Sequence, residues 1–271
     1  MRRKRGMVAA VVLATAAIGA AVAFAYPTSG YTIWTIAGTG QSCTGTCGDG
    51  GQAVDAGLGN PSGVAVDDHG DVFIADDANN KVREVTPAGV ISTVAGDGDE
   101  CLTPTGACGD GGPATGASFH TLREVAVDGQ GDLFISDELD NRVREVNAAT
   151  HDISTIAGTG TLCSPSTAAC GDGAAAISAQ LGAPTGVAVD GSGDVFISDT
   201  DDNRVREVIA SNGAVTPTSD IVTVAGTGTS CSDPTDDPAC GDGSLATTAT
   251  LNAPFGIAVD PQGNLYIADA N

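Results

Sequence analysis

Three kinds of residue in this 271-residue chain could do chemistry: eight cysteines, a recurring set of acids and three histidines. The cysteines fall in four close pairs, Cys43/Cys47, Cys101/Cys108, Cys163/Cys170 and Cys231/Cys240. The spacing within a pair varies, no pair is Cys-x-x-Cys, and His69, His120 and His151 are scattered. A zinc centre needs a fixed ligand spacing and a redox dithiol favours the two-residue spacer, so neither fits. Local disulfides, each closing its own short loop, do fit. Loops of this size each contribute roughly 2–3 kcal/mol on the chain-entropy estimate. Among the histidines, His120 alone falls where a general base would be useful; the plainer reading is a surface side chain.

The acids form two sets. Asp49, Asp110, Asp172 and Asp242 each follow the second cysteine of a pair, in Cys-Gly-Asp-Gly. Asp76, Asp77, Asp137, Glu138, Asp199, Asp201 and Asp202 form the second set, the candidate binding residues. Calcium is the sharper chemistry for them. Asp199-x-Asp201-x-Asn203 starts like a calcium loop, but Arg204 stands where glycine is wanted and no glutamate closes the motif. Calcium takes about 6–8 oxygens, so several loops would have to converge on one ion. No other cofactor is expected. The structural reading is simpler. Asp76, Asp137 and Asp199 are each followed four residues on by Asn80, Asn141 and Asn203, and such side chains cap tight turns. Arg83, Arg144 and Arg206 then stand ready to tie their strands to a neighbouring acid.

What must position these residues is a repeat. IWTIAGTG, ISTVAGDG, ISTIAGTG and IVTVAGTG begin at Ile33, Ile91, Ile153 and Ile221. After each come a cysteine loop, a small-residue stretch, and an apolar run: GVAVD at 63–67, EVAVD at 124–128, GVAVD at 186–190, GIAVD at 256–260. A second run follows (DVFIAD, DLFISD, DVFISD, NLYIAD), then KVREV or RVREV in three of the units. Each run is short, rich in Val and Ile, and bounded by Gly, Asp, Asn and Pro, which is the signature of strands. Four strands repeated in fixed order predict an all-β fold built of propeller blades. Three blades are complete and the fourth has two strands. In such a meander the cysteine loops and the acidic turns share one face.

The pattern GVAVD…GDVFIAD…NN-KVREV…ISTVAGDG resembles the NHL repeat. With AGTG…GDGGPAT added, it is similar to the NHL propellers of exported bacterial proteins and of teneurins. The resemblance covers residues 33–271 and implies a β-propeller, often six-bladed, of which this chain would be a fragment. It further implies a binding or scaffold role. The cysteine pairs are additions to the core repeat.

The chain begins with Arg2, Arg3, Lys4 and Arg5, an uncharged apolar stretch over 7–25, and the small-x-small triplet Ala23-Phe24-Ala25. Residues 1–25 read as a secretory signal peptide, or as an N-terminal anchor through 7–25, and 26–32 as a short linker. Either places the propeller outside the cytoplasm, secreted or anchored, where disulfides persist. With 34 acidic residues against 11 basic ones the net charge is −23. That excludes a nucleic-acid backbone as partner, and excludes membrane contact other than through the N-terminal segment. The expected function is a non-catalytic binding or scaffold module for a protein or glycan, cationic partners included, on an acidic, disulfide-looped face. The alternative is a propeller enzyme of the lyase or gluconolactonase type, with a metal at the channel mouth.

Overall fold

The computed structural model describes residues 8–11, 22–27, 31–43, 45–103, 108–166, 169–231 and 239–270. Most of the N-terminal signal-like stretch, including its basic residues, lies outside that set. The remainder of it supplies β1 (Val8–Val11) and β2 (Val22–Pro27), which pair antiparallel with each other; β2 also pairs with β3 (Tyr31–Ala37). The IWTIAG run is thus paired by the strand just before it. Among the described residues no helix is long and apolar enough to cross a membrane.

Three four-stranded antiparallel sheets follow. They are β4–β7 (Pro61–Val66, Val72–Asp76, Lys81–Val85, Ile91–Ala95), β8–β11 (Leu122–Val127, Leu133–Asp137, Arg142–Val146, Ile153–Ala157), and β13–β16 (Pro184–Val189, Val195–Asp199, Arg204–Val208, Asp220–Ala225). The short β12 (Ala174–Ala175) adds to the outer edge of the third sheet by pairing with β16. A two-stranded sheet, β17 (Pro254–Val259) and β18 (Leu265–Asp269), completes the described chain. Each of these four sheets is one blade and, β12 aside, its strands lie in chain order. The first strands β4, β8, β13 and β17 lie side by side and form the inner wall.

The core sits between blades because the second strand of each is apolar on both faces. VFIAD, LFISD and VFISD are buried at every position. Phe73 and Ala75 of the first blade pack with Phe119, Leu122 and Ile135 of the second. Phe134 and Val143 of the second pack with Val187 and Ile197 of the third. The fourth blade leaves the matching position, Tyr266, 58% exposed.

Side chains also knit the inner wall directly to the next blade. Ser62 Oγ donates to Leu122 O at 2.8 Å, Ser136 Oγ to Thr185 O at 2.7 Å, and Thr185 Oγ1 to Phe255 O at 3.0 Å. Asn141 Oδ1 accepts Ala183 N–H at 3.0 Å and Asn203 Oδ1 accepts Ala253 N–H at 2.9 Å. The sequence excess over a compact blade goes outward. Gly50 N–H donates to Ile91 O, Gly111 N–H to Ile153 O and Gly173 N–H to Ile221 O, so the first three Gly-Asp-Gly corners each run along the outer strand of their own blade. The corner after each outer strand needs glycine. Gly96 has φ +94°, and a Cβ there would overlap the carbonyl oxygen of Asn80.

Candidate functional site

All four cysteine pairs are disulfides, each closing its own loop: Cys43–Cys47, Cys101–Cys108, Cys163–Cys170 and Cys231–Cys240. An oxidising compartment is where such bonds persist. In the first three blades the loop folds over the turn between the second and third strands, so the two acid sets meet.

The second cysteine of each pair sits at a turn. Cys47, Cys108, Cys170 and Cys240 all take left-handed backbone, with φ +54°, +42°, +46° and +50°. Cys47 is buried, and its carbonyl oxygen accepts from Arg83 NH2 at 3.4 Å. Cys240 is half-buried in the middle of the short turn Ala239–Gly241, and its carbonyl accepts Thr250 N–H at 2.9 Å. Cys47 and Cys240 are therefore corner residues of the frame. The cause is the turn into Gly-Asp-Gly, which swings the second cysteine inward.

The meeting point of the two acid sets is a buried arginine. In the first blade Arg83 is fully buried, with NH1 3.2 Å from Asp76 Oδ2 and NH2 2.5 Å from Asp49 Oδ1. Arg144 repeats this with Asp137 (3.5 Å) and Asp110 (2.6 Å), and Arg206 with Asp199 (3.1 Å) and Asp172 (2.5 Å). The second oxygens of Asp49, Asp110 and Asp172 accept from Thr93, Thr155 and Thr223 at 2.8, 2.7 and 2.7 Å. Each of these three Gly-Asp-Gly carboxylates thus accepts from an arginine and a threonine. The Asp199–Asp201–Asn203 trio is split: Asp199 is buried on Arg206, Asp201 is exposed, and Asn203 caps Ala253.

The turn aspartates have a further fixed task. Asp76, Asp137, Asp199 and Asp269 each accept the backbone N–H of the residue seventeen positions earlier: Gly59 (2.6 Å), His120 (2.7 Å), Gly182 (2.6 Å) and Asn252 (2.7 Å). Asp76, Asp137, Asp199 and Asp202 are buried frame residues, because each is turned inward onto donors or into the disulfide loop. Of the seven candidates, Asp77 and Glu138 are half-buried and Asp201 is exposed, so these three remain at the surface. Acidity is not confined to this face either. Asp67, Asp128, Asp190 and Asp260 cap the turns at the opposite end of the blades, each accepting the N–H two residues on and four residues on. Burial, with Asp132 and Asp128 nearby, pushes Glu145 at that end up to about 7.

Blade two breaks the repeat at the axis. Where the other blades have Ser62-Gly63, Thr185-Gly186 and Phe255-Gly256, it has Arg123-Glu124. These positions line a cavity of about 150 Å³ between the inner strands. Arg123 Nε pairs with Glu138 Oε2. Glu124 lies across Gly63, and its Oε1 accepts Val64 N–H at 3.2 Å and Val125 N–H at 3.3 Å. Burial pushes its carboxyl up to about 7. His120 takes the place of Gly59 and Gly182. Its Nδ1 lies 3.9 Å from Asp140 Oδ1, behind the cavity. Sequence reasoning passed over Arg123, Glu124 and Asp140. The signal was present, since EVAVD differs from GVAVD in its first residue.

A family model described as the teneurin NHL domain matches residues 29–103, 141–216 and 192–271. Human teneurin-1 is 32% identical over 243 residues, which cover 86% of this chain and 9% of that protein. Mouse teneurin-3 is 32% identical over 249 residues, with the same shares covered. The chain therefore spans under a tenth of the length of these curated relatives. Among solved structures, a protein of unknown function from Bacteroides thetaiotaomicron aligns with TM-score 0.61 at 17% identity, over 97% of this chain and 54% of that one. An auxiliary nutrient binding protein from Bacteroides ovatus aligns with TM-score 0.50 at 16% identity, over 79% of this chain and 46% of that one. These two show a shared fold. Motif, blade and sequence identity agree: the chain belongs to the teneurin NHL domain family of β-propellers.

Proposed function

We propose that this chain is a non-catalytic binding module that works outside the cytoplasm and holds a protein or glycan on its disulfide-looped face. One observation carries the reading. The loops of the first three blades are each fixed three ways, by a disulfide, by a buried arginine bridging two aspartates, and by a backbone cap, so this part of the face is preorganised. Loops held on a rigid scaffold are where binding concentrates, and rigidity lowers the entropy cost of binding. The family supports a binding role, and the solved neighbour described as a nutrient binding protein is consistent with it. The surface acids Asp77, Glu138 and Asp201 and the charge of −23 favour a cationic partner. Residues 1–25 are the export signal in this reading.

The enzyme alternative would require a histidine and carboxylates together at the axis. Of these Glu124 alone lines the cavity, beside Ser62, Thr185, Phe255 and glycines, while His120 turns to the buried Asp140. The test is binding of the whole chain to a glycan array and to a lysine-rich peptide, with D77N/E138Q/D201N as the variant. We expect a salt-sensitive interaction with one of these probes that the triple variant weakens by about tenfold or more. Equal binding by the variant, or no binding to either probe, would overturn the reading.

A further inference from the structure

The third residue after the capping aspartate differs among the blades, and its slot explains what it does. In blade one it is Asn79. Its amide Nδ2 donates to both oxygens of Asp76, at 3.0 and 2.9 Å, and lies 3.5 Å from Cys43 Sγ of the loop disulfide. In blades two and three the same slot holds Asp140 and Asp202. Each has a carboxylate oxygen within 4.8 Å of both sulfurs of its loop disulfide, Cys101–Cys108 or Cys163–Cys170. Both residues are buried, at 0% and 1% exposure. An acid has replaced an amide, so the slot has lost its donor. Both oxygens of Asp140 and Asp202 Oδ2 accordingly find no hydrogen-bond donor, and Asp137 Oδ2 has only the ion pair with Arg144 NH1 at 3.5 Å, as Asp140 Oδ1 has only His120 Nδ1 at 3.9 Å.

Arginines stand near both pairs and have other acceptors as well. Around Asp137 and Asp140 stand Arg144, Arg142 and His120. Arg144 is shared with Asp110, and Arg142 NH2 donates to Thr159 O. Around Asp199 and Asp202 stand Arg206, Arg204 and Asp201. Arg206 is shared with Asp172, and Arg204 NH2 donates to Thr227 O. A buried carboxylate oxygen without a donor is costly, and two neighbouring carboxylates cannot both ionise cheaply.

We propose that the Asp137–Asp140 and Asp199–Asp202 pairs each hold one proton at neutral pH, the proton standing in for the Asn79 amide and clamping the turn beneath the disulfide loop. Loss of that proton opens the clamp, so the loops of blades two and three loosen on alkalinisation while the loop of blade one does not. The acidities agree in direction. Burial, then the charge of Asp140, pushes Asp137 up to about 8, and burial, then the charge of Asp199, pushes Asp202 up to about 7. A carboxyl held above its unfolded value stabilises the fold fully at acid pH, and that contribution is lost as pH rises through the folded value.

The test is unfolding of the whole chain from about pH 5 to about pH 9, for the native sequence, D140N/D202N and N79D. Each pair should raise the unfolding constant by up to about tenfold per pH unit within its window. D140N/D202N, which restores the amide, should flatten the slope and be the more stable protein at the alkaline end. N79D, which creates a third pair, should steepen it. Infrared difference spectra at neutral pH should show protonated-carboxyl absorption in the native protein that D140N/D202N loses. The same slope and the same absorption in D140N/D202N as in the native chain would overturn the proposal. If N79D does not fold, the infrared comparison decides alone.

Discussion

Arg144 is held by two carboxylates, by Cys108 O at 3.3 Å, and by the ring of Phe119 at 5.6 Å from its centroid. Removing one partner of a buried charge cluster leaves the others unpaired, so R144M should cost about 3 kcal/mol in denaturant unfolding. R144K should recover little of it, because one ammonium cannot reproduce the guanidinium fork to Asp110 and Asp137. Glu124 gives a prediction of the opposite character. Its carboxyl is raised, so its contribution is complete below the ordinary glutamate range and lost as pH rises through about 7. E124Q keeps an acceptor for Val64 N–H and should remove that part of the pH dependence, seen by comparing thermal midpoints at acid and neutral pH. At this scale the arginine–acid tie was legible, because a charged residue recurring inside a Val-rich strand needs a partner. Its two-acid form was not, since it depends on the loop folding back over the turn.

The elements were mostly readable for a simple reason: each strand is a short Val/Ile run closed by Gly or Asp, and the pattern recurs. What the pattern did not reveal was the pairing at the edges, where the Gly-Asp-Gly corners extend the outer strand and β2 partners β3. Nor did it separate surface acids from buried ones, because Asp199, Asp201 and Asp202 look alike in sequence and only the turn geometry faces Asp201 outward. The cysteine pairing was legible from spacing, but the inward swing of Cys47 and Cys240 was not, because it follows from backbone turned left-handed at those residues. The disulfides belong to this scale. Replacing Cys163 and Cys170 together by serine should lower stability by roughly 2–3 kcal/mol. It should also raise amide exchange in residues 159–166, with blade one unchanged. The corner after the outer strand gives a sharper test. G158A puts a Cβ at φ +94° against Asn141 O and should destabilise by more than the ~1 kcal/mol that a compatible glycine-to-alanine change can gain.

For the whole molecule, the charge of −23 now has a location. The acids cap turns at both ends of the blades, and many serve the frame before they serve any partner. Added salt should therefore raise the thermal midpoint by screening self-repulsion. The export reading is checked by N-terminal sequencing of the secreted protein: a start at Tyr26 supports cleavage, and a retained 7–25 segment supports the anchor. The central claim is that the disulfide-looped face, and not the opposite end with its own aspartates, does the binding. Hydrogen exchange of the whole chain with the lysine-rich peptide or array glycan that binds it decides this most directly. Protection at turns 76–80, 137–141 and 199–203, with turns 67–71, 128–132 and 190–194 unchanged, is the predicted result. Protection of the second set alone would contradict it.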